Sequence, residues 1–271
     1  IAVGFSSQTV ARQLTPVPPR HCPSVVVLRR VPVGVIRNRL ADYQITLGGN
    51  RNDLNHHPDV HEVPGFYCLD KDKWSPDRTA PATNVAAPKE ARQIVLYHAV
   101  GNFEMRSSGI KNIKCTHVYV PLVQQMQDEG YAVRLDIVSN VPNQEIIWRQ
   151  LQADIFCDQL TFGWFGANAR EGMMLGKPVI CYLRPEWLAS VAREIPEYVA
   201  ELPIVSATPD TVASVLKYLV QHPEKRQEIG HKGRVFAIKW HDRSSGARQL
   251  AAIYQRLISS RQHELHATGH R

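Results

Sequence analysis

The segment Asp158–Lys177, DQLTFGWFGANAREGMMLGK, holds the residues best suited to chemistry. Gly163, Trp164, Phe165 and Gly166 precede a helix-like run, so backbone N–H groups are free where that run begins. A glycine at 166 lets an anionic ligand approach the main chain, and the free N–H groups together with the helix dipole favour a phosphate. Glu171, five residues further on, suits a ribose diol, because a carboxylate accepts hydrogen bonds on both oxygens. An ordinary strand, turn and helix would use the same glycines, and spacing alone does not decide between the two. In a second segment, His98–Thr116, Gly101, Ser107, Ser108 and Gly109 make a loop, and Arg106, Lys111 and Lys114 bring cations to the start of another helix. A guanidinium and an ammonium on that rim suit two phosphates, with a solvated basic loop as the plain alternative. A third segment, Asn52–His61, carries the metal-compatible Asp53, His56, His57, Asp59 and His61. His56 and His57 are adjacent and Pro58 interrupts them, so they fit no ligand pair held on one regular element, and no metal site is expected. Trp164 and Phe165 suit either stacking on a ligand ring or core packing. The sequence has no GxxxxGK[ST], GxSxG, HExxH or post-strand GxGxxG pattern, which removes the main support for P-loop, serine-hydrolase, zincin and standard dinucleotide readings.

Both phosphate-suited loops follow apolar runs that read as strands. Candidate strands are Ile94–His98, Val133–Val138, Asp154–Cys157, Val179–Tyr182 and Ile204–Val205. Between and after them, helical patterns cover His117–Glu129, Gln144–Gln152, Ala167–Leu175, Pro185–Glu194, Pro209–Gln221, Pro223–Lys239 and Ser244–Ser259. Gly176 is expected as a left-handed C-cap, and Thr208-Pro209 as an N-cap followed by proline at the first helical position. Alternation of this kind predicts an α/β fold with a doubly wound parallel sheet, in which ligands bind beyond the carboxyl ends of the strands. The earlier part is less regular, with strand-like Val25–Leu28, Tyr43–Leu47 and Val60–Val63 and a short helix over Val35–Ala41. The run TAPATNVAAP has three prolines and little apolar bulk, so the reading divides the chain into a partial N-terminal portion over 1–78, a linker over 79–90, a ligand-binding domain over 91–260 and a flexible tail over 261–271.

With 271 residues, 44% of them apolar and 21% charged, the chain has ample material for a buried core, and disorder as the main state is excluded. The net charge of +7 is spread thinly, +4 before residue 93 and +3 after it. This favours anionic small molecules or peripheral contact with a membrane surface over a dedicated nucleic-acid patch, and simple solubilisation explains it equally well. Five cysteines in no CxxC spacing fit a reduced, cytoplasmic chain. No apolar run approaches the roughly 18 residues of a membrane span, and no signal-peptide pattern is visible. The start at Ile1 carries the expectation that an N-terminal portion is missing.

Taken together, residues 90–258 resemble the C-terminal, donor-binding domain of GT-B glycosyltransferases of the family-4 type. IVLYHAVGN with the downstream Lys114-Cys115-Thr116 is similar to the family's first strand and phosphate loop, where Lys-Gly-Thr is usual. ADIFCDQLTFGWFGANAREGMMLGKPVICY resembles its central strand, EX7E-region loop, helix and following strand, ending in Gly176-Lys177-Pro178-Val179. ELPIVSATPDTVASVLKYLV and HDRSSGARQLAAIYQRLI are similar to the closing strand and helices, and LADYQITLGGN and VHEVPGFYCLDKDKWSP to the end of the acceptor-side domain and its crossover.

The resemblance implies a Rossmann-like donor domain with an incomplete N-terminal α/β portion, and transfer of a sugar, with retention, from a nucleotide-diphosphate donor to a glycan, lipid or small-molecule acceptor. It implies no cofactor and no bound metal. By position Glu171 is the second glutamate of EX7E and would hold the donor ribose; Gly166 would lie under the diphosphate, and Gly101 would line the phosphate loop. Lys114 and Arg106 would neutralise the diphosphate, and Asp158 or Gln159 would reach the sugar. Where the family has its first glutamate, this chain has Gly163. That departure, with the short N-terminal portion, keeps two other readings open: a catalytically degenerate nucleotide-sugar-binding partner, and a sugar-nucleotide epimerase on the same architecture.

Overall fold

The computed structural model describes residues 2–3, 43–46, 60–79, 93–106 and 112–268. The chain divides into two compact units, Ile1–Val63 and Pro64–Arg271. In the first, β1 (Ala2–Val3), β2 (Gln44–Thr46) and β3 (Val60–Glu62) form a parallel sheet in the order β1-β2-β3, and His61 stacks on Tyr43 with ring centroids 4.5 Å apart. The strand expected over Val25–Leu28, the helix over Val35–Ala41, residues 52–59 of the histidine-rich segment and residues 80–90 of the expected linker lie outside the described residues.

The second unit is built on β4 (Ile94–Ala99), β5 (Val133–Val138), β6 (Ile155–Cys157) and β7 (Val179–Ile180), all parallel, in the order β5-β4-β6-β7. Val205 extends the sheet by one parallel bridge to Ile180. The helices are α1 (Phe103–Arg106), α2 (Thr116–Asp128), α3 (Asn143–Gln152), α4 (Ala167–Met174), α5 (Pro185–Glu194), α6 (Pro196–Glu201), α7 (Val212–Gln221), α8 (Pro223–His241) and α9 (Arg243–Thr268). Strand side chains alternate between two cores, as the period of two requires. Tyr97, Phe156, Val179 and Cys181 face a layer that includes Met173 of α4, Trp187 of α5 and Phe236 of α8. Leu96, Ile155, Cys157 and Ile180 face Tyr119 and Met126 of α2 and Leu216 of α7. Central strands covered on both sides read as unbroken apolar runs, which is why IVLY and IFC were recognisable. The doubly wound sheet is therefore present.

Several boundaries differ from expectation. The N-cap at Thr208 is displaced: residues 208–211 form a turn, Thr208 N donates to Thr211 Oγ1 at 2.9 Å, and the helix proper starts at Val212. A further helix, α6, follows Ile195 with Pro196 at its first position, where a proline's missing N–H costs nothing. The expected flexible tail continues α9 as helix through Thr268. The boundary between units falls at Val63/Pro64 rather than in the linker. Residues 64–78 join the second unit because they pack along the α8–α9 junction: Leu69 N donates to His241 O at 2.7 Å and Arg243 N donates to Leu69 O at 2.8 Å. Gly65 supports the same junction, since a Cβ there would lie 2.7 Å from the Cα of Gly246. Gly176 ends α4 with φ of 69°, the left-handed cap anticipated.

Candidate functional site

The sideways order in which successive strands are added reverses at β4. From β4 the chain passes by α2 to β5 on one side, then returns by α3 across β4 to β6 on the other. The carboxyl ends of β4 and β6 thus mark the topological switch point of the sheet, the place where doubly wound folds bind their ligands. The two loops singled out from sequence, 100–115 and 158–166, are the ones that leave these two strands.

The first loop ends in Lys114 and Cys115, the latter in the left-handed conformation at φ of 55°, immediately before α2. No side chain caps α2, and Thr116 is engaged elsewhere: its Oγ1 lies 2.8 Å from His98 Nε2. His98 Nδ1 is 2.9 Å from Cys157 O, an acceptor only, so Nδ1 carries the proton and Nε2 accepts from Thr116. Burial holds His98 down to about 4, so the ring is neutral and acts as a fixed tie between β4, β6 and α2. Lys114 and Asp158 form an ion pair whose side chains are 9% and 0% exposed. Asp158 Oδ2 is buried with no hydrogen-bond partner among the described residues. The expected free cation is therefore a paired one, and one Lys114 N–H is spent on Asp158 Oδ1, leaving two of its three donors.

In the second loop, Gln159 is drawn into the protein rather than presented outward: its Nε2 donates to Trp164 O and its carbonyl accepts from Tyr182 N at 2.8 Å. Phe165 is 2% exposed and packs edge-on against Trp187, so it belongs to the core. Trp164 is half-buried, and its indole N–H has no hydrogen-bond partner among the described residues. Gly163 has φ of 96°, and a Cβ there would lie 2.8 Å from Arg184 Cβ; Arg184 N also donates to Gly163 O at 2.8 Å. Its backbone and its neighbour together exclude the glutamate of the EX7E pattern.

Gly166 precedes α4, no side chain caps that helix, and a Cβ at 166 would meet nothing within 4 Å. Gly101, at the mouth of the other loop, is equally open. Arg106 closes the short α1 and is half-buried, and Lys111 lies outside the described residues. Glu171 is half-buried on α4, with Oε2 accepting from Gln150 Nε2 at 2.5 Å. Burial pushes its carboxyl up; Gln150, Arg170 and Lys114 act the other way, and Asp158 adds to the rise. Sequence reading missed Gln150, although its position three residues after the buried Ile147 on α3 is a signal: a polar side chain on an apolar helix face. Among the described residues no group of three or more metal-ligating side chains is found, and no helix is long and apolar enough to cross a membrane.

No protein-family model matches the sequence. No curated protein matches it either. Solved structures do match in fold. The Anabaena protein Alr3699/HepE, crystallised with UDP and glucose, superposes with a TM-score of 0.57 at 15% identity, covering 82% of this chain and 65% of that one. A glycosyltransferase from Rickettsia africae ESF-5 gives 0.58 at 13% identity, covering 84% and 68%. Sucrose-phosphate synthase (tll1590) from Thermosynechococcus elongatus gives 0.51 at 18%, covering 81% and 59%. The fold is that of the GT-B glycosyltransferases. This chain spans about 65% and 59% of the lengths of HepE and the synthase.

Proposed function

We propose that this chain binds a nucleoside-diphosphate sugar at the switch point of the sheet and serves as the donor-binding part of a retaining, family-4-type glycosyltransferase. The observation that carries the reading is that two uncapped helix starts, at Thr116 and Ala167, follow neighbouring strands of one parallel sheet, with the loops before them tied together by the Lys114–Asp158 ion pair. Helix starts offer free N–H groups and a positive dipole end to an anion. In this reading the diphosphate lies between Lys114 and the N–H groups after Gly166, and Glu171 accepts hydrogen bonds from the ribose hydroxyls. Gly101 and Gly166, each open to solvent at the Cβ position, let the phosphates approach the main chain. On transfer, the bond from the anomeric carbon to the phosphate oxygen breaks and its electron pair stays on the leaving diphosphate. Lys114 and the helix starts then stabilise a charge that grows in the transition state, which is where fixed electrostatics contribute most. These residues need no metal ion for that role.

Gly163 favours a second reading from another class, a nucleotide-sugar-binding partner without transfer activity, because the carboxylate that would approach the donor sugar is excluded there. The pairing of Asp158 with Lys114 supports the same reading, since its Oδ1 is already engaged.

Thermal unfolding in the presence of UDP, GDP and ADP tests the binding reading. At a hundredfold excess over Kd, one of them is expected to raise Tm by roughly 5–10 °C, and Glu171→Ala to remove most of that rise. An unchanged Tm with all three contradicts both readings. Binding without sugar transfer or donor hydrolysis by the full-length protein selects the non-catalytic one.

A further inference from the structure

We propose that Gln150, held in turn by Trp74, is a positioning residue that sets the Glu171 carboxylate for the ribose; this rests on the donor-binding reading above. Gln150 sits in the last turn of α3 and is 0% exposed. A primary amide with no access to solvent must find its partners within the protein. Both ends of the Gln150 amide do so: Nε2 donates to Glu171 Oε2 at 2.5 Å, and Oε1 accepts from Trp74 Nε1 at 3.2 Å. Reversing the amide would set an acceptor against a carboxylate and a donor against an indole N–H, so these two neighbours fix its orientation.

The consequence falls on Glu171. One carboxylate oxygen is anchored, and Oε1 makes no hydrogen bond among the described residues, leaving it for a ligand. A flexible glutamate loses rotamer freedom on binding; one already held at Oε2 loses less, so the same contact contributes more affinity.

Trp74 is itself held. It belongs to residues 64–79, which pack on the α8–α9 junction, and its carbonyl accepts from Arg234 Nη1 at 3.1 Å. The same guanidinium nitrogen donates to Met174 O, the last residue of α4, so Arg234 fixes Trp74 to the helix that carries Glu171. Trp74, Gln150 and Glu171 therefore form one hydrogen-bonded chain across three segments far apart in sequence. That chain assigns residues 64–79 a role in donor recognition without their touching the donor.

The test is the ratio of affinities for a ribonucleoside diphosphate and its 2′,3′-dideoxy counterpart, which lacks both hydroxyls, by calorimetric titration of UDP, GDP and ADP against their 2′,3′-dideoxy forms. The unaltered chain is expected to prefer the ribonucleotide by at least about tenfold, the worth of a hydrogen bond to a charged group. In Gln150→Leu that preference should fall to within about twofold of unity, while affinity for the 2′,3′-dideoxy form stays within about twofold, since only the hydroxyl contacts are lost. Trp74→Phe, which keeps the ring but removes the N–H, should give an intermediate ratio. A Gln150→Leu chain that keeps the full preference, or loses affinity for both forms equally, overturns the proposal. Glu171→Ala separates this from failure of the underlying reading. A preference that survives Glu171→Ala means the carboxylate does not hold the ribose, whereas one that collapses there but survives in Gln150→Leu removes only the positioning role. Should Gln150→Leu not fold, Gln150→Met is read by the same ratio with the same criteria, and a Trp74→Phe chain that keeps the full preference overturns the proposal.

Discussion

Lys114 and Asp158 form a buried ion pair at the root of the two loops proposed to hold the donor. Taking two charges out of water is costly, and removing one partner of such a pair leaves the other uncompensated, a loss of about 3–5 kcal/mol. Lys114→Met alone should therefore lower stability by that order. The double variant Lys114→Met with Asp158→Leu should recover much of it, because apolar replacement of both partners is often close to neutral. If Lys114 also meets the diphosphate, the double variant regains its denaturation midpoint but not nucleotide binding. Recovery of both would reduce the pair to a structural one. Gly163 supplies a second prediction at this scale. Gly163→Glu restores the EX7E spacing, yet it demands a left-handed side-chain residue and a Cβ within 2.8 Å of Arg184 Cβ. We expect it to destabilise by about 1–3 kcal/mol, read as a fall in Tm, with no gain of transfer activity.

Among the elements, the strands and most helices were legible because each is specified locally: β4 and β6 by apolar runs buried on both faces, α4 by the glycine that ends it. Loops 100–115 and 158–166 were legible as a pair for the same reason, since the strands that carry them were. What sequence could not give was decided by packing between distant segments. Residues 64–78 look like the end of an N-terminal portion, but their hydrogen bonds go to His241 and Arg243. Gln150 and Glu171 lie on different helices, and nothing in their spacing announces their contact. The element junctions also predict a pH dependence. His241, at the end of α8, donates from Nδ1 to Tyr67 O at 3.2 Å and accepts from Tyr198 Oη at 3.0 Å. Burial and the nearby Arg170 hold it down to about 3, and His98 is held down to about 4. Between those values and the ordinary histidine range of about 6.5, the unfolded chain binds protons that the folded chain does not, so stability is lost as pH falls through that window. Denaturation midpoints measured from pH 7 to pH 4 should decline steeply below about pH 6.5 and less steeply in His241→Phe; parallel curves for the two chains would contradict this.

At the scale of the whole molecule, a doubly wound sheet fixes where a ligand can bind before any residue is considered. The sheet places its switch point between β4 and β6, and the residues of the loops that leave these strands then specify the chemistry. On the proposed reading Glu171, Gly166 and Lys114 hold a nucleoside diphosphate, and Gly163 separates the question of binding from that of transfer. The most direct measurement is a crystal structure of the protein grown with whichever of UDP, GDP or ADP raises Tm. The account predicts the diphosphate against Lys114 and the backbone N–H groups following Gly166, with the ribose hydroxyls on Glu171. A nucleotide bound away from the carboxyl ends of β4 and β6, or a ribose that leaves Glu171 untouched, would contradict it.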